Sequence, residues 1–590
     1  MSETEPKGVA VAEKVEPEAQ AQHINHVSDG NYSVPWRFAT WSFAGTLVGI
    51  SFGFYAALLG TFPSWNMLGT VIPQTVGANT TFLWAFPTLM FCQSASAIMF
   101  GRISDFIGRR WIFIGGNILS FVGFLSCGRA DDASTITGLS ALVGIGTGIQ
   151  FMGPFLAIPE LVPVRSRFAI VGLSMSLLAP LLAMTPAIVQ ALVLNTDDGW
   201  RWCYSINAIF SIAATILLLI SYRPPTSAQL KESSPVNHRL DKKEWVRILV
   251  FAFATALATY GLLWGDTVFA WRSAGVITLI TVSGLVFLVY VGIQGADPDS
   301  SHGRLFLNIP AMSQITIASQ SSLILYFMPS TVELVLQIII GETGMKAAWN
   351  QTSYYAGLTG GFILASTLLI RPRFVKWHLA ASVTLAMVFL SAQASINSER
   401  KTELLAFSAL VGIGQGYAMV VSHVSAPMTA DKLDMGLVAG ILVAFRNLNY
   451  SVLNAILFAI FTPRFTSKLK PLVTDAALEA GLPSSSLPLL FETIEDIISS
   501  GDVTALFSVP GIGIQVMFAV QEAVVVAGTE AFRFILLLAN LYAIPLALIA
   551  IGAHNVDGCL TRDVWAVANP VKKGGGVSRV WEDIFRGGRE

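Results

Sequence analysis

The stretch GRISDFIGRR, residues 101–110, decides the fold of this chain. It places three arginines and one aspartate between two long apolar runs, 82–100 and 111–127. A charge at the centre of a bilayer costs roughly 3 kcal/mol, so a charged segment this short between two membrane-length runs must lie at a bilayer surface. Its basic residues indicate the cytoplasmic surface, because cytoplasmic loops carry an excess of lysine and arginine.

The composition is typical of a membrane protein with many spans. Of the 590 residues, 53% are hydrophobic and 12% are charged, and the mean hydropathy is +0.63. Soluble domains average about 25% charged residues. The four cysteines form neither a metal-binding spacing nor a disulfide framework. Residues 1–38 are polar and acidic, which predicts a disordered cytoplasmic tail and no cleaved signal peptide.

Apolar segments long enough to cross a bilayer recur along the whole chain. With about 20 residues for each span, they predict an all-α polytopic membrane protein with fourteen transmembrane helices. The lysines and arginines concentrate on one side, so both termini are predicted to be cytoplasmic. The glycosylation sequons at Asn79 and Asn350 then fall on predicted outer loops. The predicted spans are 40–62, 80–100, 111–128, 136–158, 168–193, 202–221, 246–264, 273–294, 309–337, 353–370, 376–395, 403–425, 435–461 and 531–552.

A repeated motif predicts the domain organisation. The sequence SALVGIG occurs at 140–146 and again at 408–414, and the same offset aligns Pro159 with Pro427. Each copy lies in the fourth predicted helix of a six-helix half, which indicates two homologous halves related as parallel repeats. The predicted segments are a tail (1–38), the N-terminal half (39–222), a cytoplasmic loop (223–244), two inserted helices (245–304), the C-terminal half (305–552, with a large outer loop at 463–530) and a cytoplasmic tail (553–590).

A short basic hairpin can serve only to set topology, whereas the family resemblance given below implies that this one is a gate. Asp105 is expected to accept hydrogen bonds from a helix N-terminus or to pair with a neighbouring arginine, and the helix beginning near Asp434 is its expected partner. Glu160 with Arg165 and Arg167 forms a second charged cluster, which is either an ion-paired gate or a solvated loop end. The predicted gating residues are Gly101, Asp105, Gly108, Arg109, Arg110, Glu160, Arg165, Arg167 and Asp434.

Polar residues inside predicted spans are candidates for the transport path. Arg446 lies about ten residues into the span 435–461, where an arginine is costly and faces a polar interior or a partner. Its alternative role is a buried structural ion pair, and His423 is equally a hydrogen-bonded core residue. Glu333 is the nearest candidate for a proton-carrying carboxylate. The predicted path residues are Gln150, Gln415, His423, Arg446 and Asn447.

Enzyme signatures do not occur in the sequence. It contains no nucleotide-binding P-loop, zinc-ligand spacing or plausible nucleophile triad, so we predict a protein without enzymatic activity, metal or cofactor, driven by a gradient or acting as a facilitator. The predicted partners are a small-molecule substrate, the lipid bilayer and protons, with no nucleic acid and a monomeric state.

The spacing G-x-x-x-D-x-x-G-R-[KR] at residues 101–110 resembles the signature loop of major facilitator superfamily transporters. Other stretches resemble the fourteen-helix drug:proton antiporter branch and, within it, the fungal trichothecene efflux pump family. They are ELVP at 160–163 with Arg167 and Phe168, GWRW at 199–202 with Asn207, WGD at 264–266 with WRSA at 271–274, and DMG at 434–436 with Arg446 and Asn447.

The resemblance implies a secondary active transporter with alternating access. Its implied function is proton-driven export of a toxic or secreted small organic molecule across the plasma membrane, with a vacuolar or vesicle membrane as an alternative. Two positions depart from the antiporter pattern: Ser140 occupies the place of an arginine, and Ala179-Pro180 lacks the flanking glycines. An importer of siderophore-iron or another nutrient remains an alternative, as does a non-transporting membrane sensor.

Overall fold

The computed structural model describes residues 41–76, 84–224, 242–265, 269–295, 300–430, 434–500 and 509–560. These residues are almost entirely α-helical. Residues 1–40 and 561–590, with most of the predicted tails, lie outside the described residues, as does Asn79. Within the described part, ten helices are long and apolar enough to cross a membrane. The all-α class is confirmed, whereas the count of fourteen spans stays a prediction.

The N-terminal half ends where a polar linker separates it from the rest of the chain. Its helices are α1 (Trp41–Val76), α2 (Ala85–Ile107), α3 (Arg109–Cys127), α4 (Ala133–Leu156), α5 (Ile158–Leu161), α6 (Arg167–Ser176), α7 (Ala179–Ala183), α8 (Thr185–Asn195) and α9 (Gly199–Ser221). The inserted segment contains α10 (Lys242–Trp264), α11 (Ala274–Gly295) and the short α12 (Ser301–Leu307).

The C-terminal half begins directly after α12. Its helices are α13 (Ile309–Leu334), α14 (Gly344–Leu368), α15 (Val375–Ala392), α16 (Lys401–Met428), α17 (Met435–Glu479), α18 (Leu487–Ser500) and α19 (Ile514–Gly552). A π-helical segment, Val335–Ile340, continues α13 beyond Pro329 without a loop between them.

The two copies of the SALVGIG motif make equivalent contacts. Gly144 in α4 and Gly412 in α16 each pack against the backbone of the second helix of their own half, α2 and α14 respectively. Gly146 and Gly414, two residues later, pack against the third helix of each half. Small residues allow such close helix approach in membranes. The repeat therefore corresponds to repeated packing as well as to repeated sequence.

The hairpin at residues 101–110 is shorter than the sequence predicts. α2 continues to Ile107 and α3 starts at Arg109, so the chain turns at a single residue. That residue is Gly108, with φ of +103°, a backbone conformation that favours glycine. Gly101 lies inside α2 and contributes to helix packing, not to the turn.

The predicted span 168–193 is broken in the structure. It consists of α6, α7 and α8, and the later two pieces have Pro180 and Pro186 in their first turn. Proline lacks a backbone N–H and is compatible with the start of a helix, but it disrupts a helix interior. The two prolines therefore explain the breaks that the apolar pattern did not predict.

The segment 463–530, predicted as a large outer loop, is largely helical. α17 continues about five turns beyond its predicted end, and α19 begins at Ile514, well before its predicted start. The helical extensions and α18 bury a shared apolar core, with members such as Phe465, Val473, Leu490 and Val520. The apolar residues Phe465, Leu469, Val473 and Ala477 recur every four positions and so form one helix face.

Asn350 lies within a helix, not on a loop as predicted, because α14 begins nine residues earlier than its predicted start. Its side-chain amide donates a hydrogen bond to Glu342. The sequon therefore does not lie on a surface loop, the usual location of a glycosylated asparagine. We expect Asn350→Gln to leave the mobility of the expressed protein on a denaturing gel unchanged before and after deglycosylation. A mobility shift that disappears in this variant would contradict the expectation.

Candidate functional site

The end of α2 is bound to the beginning of α17, in the other half. The carboxylate of Asp105 accepts hydrogen bonds from the backbone N–H groups of Gly436, at 3.0 Å, and Leu437, at 3.2 Å. Both N–H groups lie in the first turn of α17, where a negative charge is stabilised by the helix dipole and the unpaired donors. The sequence predicted this contact, and the structure contains it.

The close approach of α2 to α17 depends on glycine. A Cβ atom added at Gly101 would lie against the backbone carbonyl of Gly436 and 3.1 Å from the Cα of Gly440. A Cβ added at Gly440 would meet the backbone of Ala97 and Ile98. Because the obstacles are backbone atoms, a larger side chain on either helix would force the helices apart.

Arg102 is the centre of the charged network around Asp105, although the sequence analysis did not single it out. Its Nη1 lies 2.7 Å from Asp434 Oδ1 and 3.6 Å from Asp105 Oδ2. Its Nη2 lies 3.0 Å from Glu244 Oε1. We call these four residues the Asp105 cluster. All four side chains are largely buried, so this is a desolvated network in which each charge needs its partners.

The inserted helices reach this network through Glu244, in the first turn of α10. Its other oxygen, Oε2, lies 3.4 Å from Arg247 Nη1, and Oε1 lies 3.7 Å from the fully buried His302 in α12. Burial lowers the pKa of His302, so a neutral imidazole faces the carboxylate. Arg304 in α12 lies 3.6 Å from Asp434. The inserted segment thus contacts both halves where they meet.

Removing the charge of Glu244 tests this contribution. In Glu244→Gln, Arg102 keeps two carboxylates and loses the third. A hydrogen bond to a charged group contributes about 1.5 kcal/mol or more, so we expect transport to fall about tenfold. Uptake or efflux in vesicles, normalised to protein abundance, measures this effect. The matched control is Glu403→Gln, because Glu403 pairs with Arg400 at an exposed site. Equal activity of the two variants would contradict the expectation.

The second predicted charged cluster has different members from those expected. Glu160 pairs with Arg109, whose Nη1 lies 2.6 Å from Glu160 Oε1. Arg109 also bonds Asp105 at 3.3 Å, so the two predicted clusters are connected. Arg167 is fully buried and lies close to Glu160, whereas Arg165 is exposed. The fold explains the difference, because α3 starts beside α5 and so brings Arg109 to Glu160.

Arg110 takes no part in this network among the contacts of the described residues. Its Nη2 donates to the backbone carbonyl of Leu219 in α9, at 2.9 Å, and its guanidinium lies over the ring of Trp111. These contacts hold α3 against α9 within the N-terminal half.

A second polar cluster lies further along the same pair of helices. Arg446 Nη2 in α17 donates to Gln93 Oε1 in α2 at 3.0 Å, and Asn447 Nδ2 donates to the same oxygen at 2.9 Å. Asn447 also donates to Ser94 Oγ at 3.1 Å. The Arg446 guanidinium lies 3.7 Å from the ring centroid of Phe151 in α4, a close cation–π contact. We call Gln93, Ser94, Arg446 and Asn447 the Arg446 cluster.

The other predicted path residues lie outside the hydrogen bonds of the Arg446 cluster. His423 packs against Phe155 in α4, one turn beyond Phe151, with ring centroids 4.4 Å apart. Gln150 bonds Asn117 and Ser211 inside the N-terminal half, so it connects α3, α4 and α9. Gln415 is buried in α16, and its Nε2 has no hydrogen-bond partner among the described residues.

Gln93 and Ser94 were missed by the sequence analysis. Both are ordinary uncharged residues in an apolar run, and only the packing of α2 on α17 places them opposite Arg446. The amide of Gln93 also donates to Thr147 in α4 at 3.1 Å, which orients its oxygen toward Arg446. A polar residue in a predicted span is the signal that could have identified it.

Comparison with known proteins agrees with the resemblance seen in the motifs. The family model described as "Fungal trichothecene efflux pump (TRI12)" matches residues 8–569. The chain belongs to this family. Membership confirms the predicted family, and with it the class of multi-pass membrane transporter that carries a small molecule.

Individual relatives are distant. The chain is 26% identical to Trichothecene efflux pump TRI12 of Fusarium sporotrichioides, over 77% of this chain and 76% of that protein. It is 23% identical to MFS-type transporter TOXA of Cochliobolus carbonum, over 65% and 71% of the two chains. Among solved structures, it is similar to a bacterial homolog of the human lysosomal transporter Spinster in an inward-facing, unoccupied conformation, with 12% identity, coverage of 87% and 97%, and a TM-score of 0.47.

Proposed function

We propose that this protein exports a toxic or secreted small organic molecule by alternating access. One observation carries the proposal: a single interface, α2 against α17, holds both the Asp105 cluster at its end and the Arg446 cluster along its length. The state of the Asp105 cluster would therefore decide whether a substrate bound at the Arg446 cluster is retained or released. Family membership supports export as the direction of transport.

The Asp105 cluster acts as the cytoplasmic gate in this proposal. Opening the gate breaks the hydrogen bonds from Gly436 and Leu437 to Asp105 and separates Arg102 from Asp434. Interfaces of this kind are bistable, because a packed contact is either made or broken. The same separation of α2 from α17 would move Gln93 away from Arg446, so a change at the gate is transmitted to the Arg446 cluster through rigid helices.

The chemistry of the Arg446 cluster favours an amphipathic substrate with oxygen acceptors. Arg446 and Asn447 present N–H donors, and in the arrangement described here the oxygen of Gln93 occupies them. A substrate oxygen would replace Gln93 when the helices separate. The ring of Phe151 lies under the Arg446 guanidinium and that of Phe155 lies one turn further along α4, and both suit an apolar ring system. A mycotoxin or drug-like compound fits this description.

The remaining features of the proposal are the orientation, the membrane, the oligomeric state and the energy source. Both termini and the gate face the cytoplasm, the protein works as a monomer in the plasma membrane, and the proton gradient supplies the energy. Positive charge concentrated on one side of the spans supports this orientation.

Expression in a yeast strain that lacks its own drug pumps tests the function. Resistance to a trichothecene and uptake of iron-loaded siderophore are scored in the same cells, with Arg446→Ala as the inactive control. Resistance without uptake is the expected result. Uptake without resistance would indicate the nutrient importer, and neither activity in a protein present at the cell surface would count against a trichothecene as the substrate.

A further inference from the structure

Glu333 is an acidic residue inside the first helix of the C-terminal half. It lies in the last turn of α13, directly before the π-helical segment Val335–Ile340. Its side chain is partly buried, and Gln337 in the next turn donates a hydrogen bond to its Oε1 at 3.3 Å. π-Helical turns are frequent at functional sites.

Two further polar groups reach the carboxylate from α14. The amide of Gln351 lies beside it, and the phenol of Tyr355, one turn along, is close enough to interact with its charge. Both side chains are buried. The environment of Glu333 is therefore made of two amides and a phenol, all of which are uncharged.

Three charged or titratable groups on neighbouring helices are engaged elsewhere. Lys401, at the start of α16, pairs with Glu342 at 2.6 Å. Arg446 on α17 bonds Gln93, and His423 on α16 packs against Phe155. Among the described residues, no lysine, arginine or histidine forms an ion pair with Glu333.

An acidic side chain without a counter-cation in a membrane span is costly in its ionised form and marks a functional site by default. Amides are suited to both forms of such a group, because each offers donors and an acceptor. Gln337 and Gln351 can donate to the carboxylate, and the oxygen of either amide can accept from the protonated acid. The site can thus gain or lose a proton without leaving a buried polar atom unpaired.

We propose that Glu333 is the proton-binding residue of the transport cycle. It lies at the end of α13 remote from the Asp105 cluster, so it takes up its proton from the outer side. Protonation converts the carboxylate to the neutral acid, and release to the cytoplasmic side regenerates the carboxylate. The proposal rests on the proton-driven export proposed above and names the group through which coupling occurs.

Infrared difference spectroscopy of the purified full-length protein in lipid nanodiscs tests proton binding without a substrate. A pH step should produce a carboxylic-acid C=O band in the wild type that is absent in Glu333→Gln. The band should remain in the matched control Glu530→Gln, whose carboxylate pairs with Lys468 at a half-exposed site. In Gln351→Leu the band should persist at a shifted frequency, because the acid loses an amide partner. An unchanged band in Glu333→Gln would overturn the proposal.

Transport in proteoliposomes separates this proposal from the function on which it rests. With a radiolabelled trichothecene, wild-type protein should accumulate the compound against its gradient when a pH gradient is imposed. Glu333→Gln should lose this accumulation and retain exchange of labelled for unlabelled compound. Proton-driven accumulation by Glu333→Gln would refute the role of Glu333. Wild-type protein that moves no trichothecene would count against the proposed substrate, and the infrared result would stand.

Discussion

Replacing Arg446 by alanine is expected to reduce transport about 100-fold while the protein still reaches the membrane. The guanidinium bonds Gln93 and Asn447 and lies over Phe151, so it connects α17 to both α2 and α4. Hydrogen bonds to a charged group contribute about 1.5 to 3 kcal/mol each. About 1.4 kcal/mol corresponds to a tenfold change in rate. Transport rate in vesicles, divided by the amount of folded protein, is the measurement.

Two variants show whether the loss belongs to the cluster. Arg446→Lys keeps the charge but loses the planar fork and the stacking on Phe151, so an intermediate loss of about tenfold is expected. Arg464→Ala is the matched control, because Arg464 also lies in α17, with its guanidinium 3.8 Å from the ring centroid of Phe534. If Arg464→Ala reduced transport as much as Arg446→Ala, the effect would reflect the general stability of α17.

Asp105→Asn is expected to weaken transport while surface abundance is unchanged. Asparagine keeps one acceptor for the N–H groups of α17 but turns an NH₂ group toward the donors of Arg102 and Arg109. A loss of about 2 kcal/mol from the closed gate would shift the ratio of open to closed molecules roughly 30-fold. A cysteine introduced at Leu437, which is fully buried at this interface, should then react faster with a maleimide added from the cytoplasmic side.

Asp131→Asn provides the comparison for Asp105→Asn. Asp131 also pairs with an arginine, Arg201 at 3.0 Å, but its side chain is 90% exposed and lies away from α17. Exposed pairs contribute little, so this variant should transport normally. Normal transport by Asp105→Asn at normal abundance, or unchanged labelling at position 437, would exclude the proposed gate.

The Asp105 cluster shows how much of the candidate site could be predicted from the sequence. A glycine, an aspartate and two arginines at fixed spacing were enough to predict a contact between residues 101–110 and the helix that begins near Asp434. The pattern succeeded because each requirement is local: a turn residue, an acceptor for a helix N-terminus and small residues for close packing. Glu244 was missed because it appeared to end a polar loop, and nothing in its neighbourhood indicates that α10 packs against α2.

The Arg446 cluster shows what could not be predicted from the sequence. Arg446 was identifiable because an arginine in a membrane span is unusual in any context. Gln93 and Ser94 are unremarkable along the chain, and they become functional candidates only when α2 lies against α17. Conversely, Gln150 and Gln415 look equivalent to them in the sequence, yet Gln150 bonds Asn117 and Ser211 within its own half.

The sequence by itself determined the membrane class and the family, and it predicted two repeated halves and the pair of segments that meet at Asp105. Hydropathy, charge bias and motif spacing are properties of the chain, and the bilayer converts them directly into helices and orientation. Only the tertiary structure decided which polar residues share a site, that the inserted helices contact the Asp105 cluster, and that 463–530 extends two helices. Those features depend on which helix faces meet, and helix faces are paired by packing between segments hundreds of residues apart.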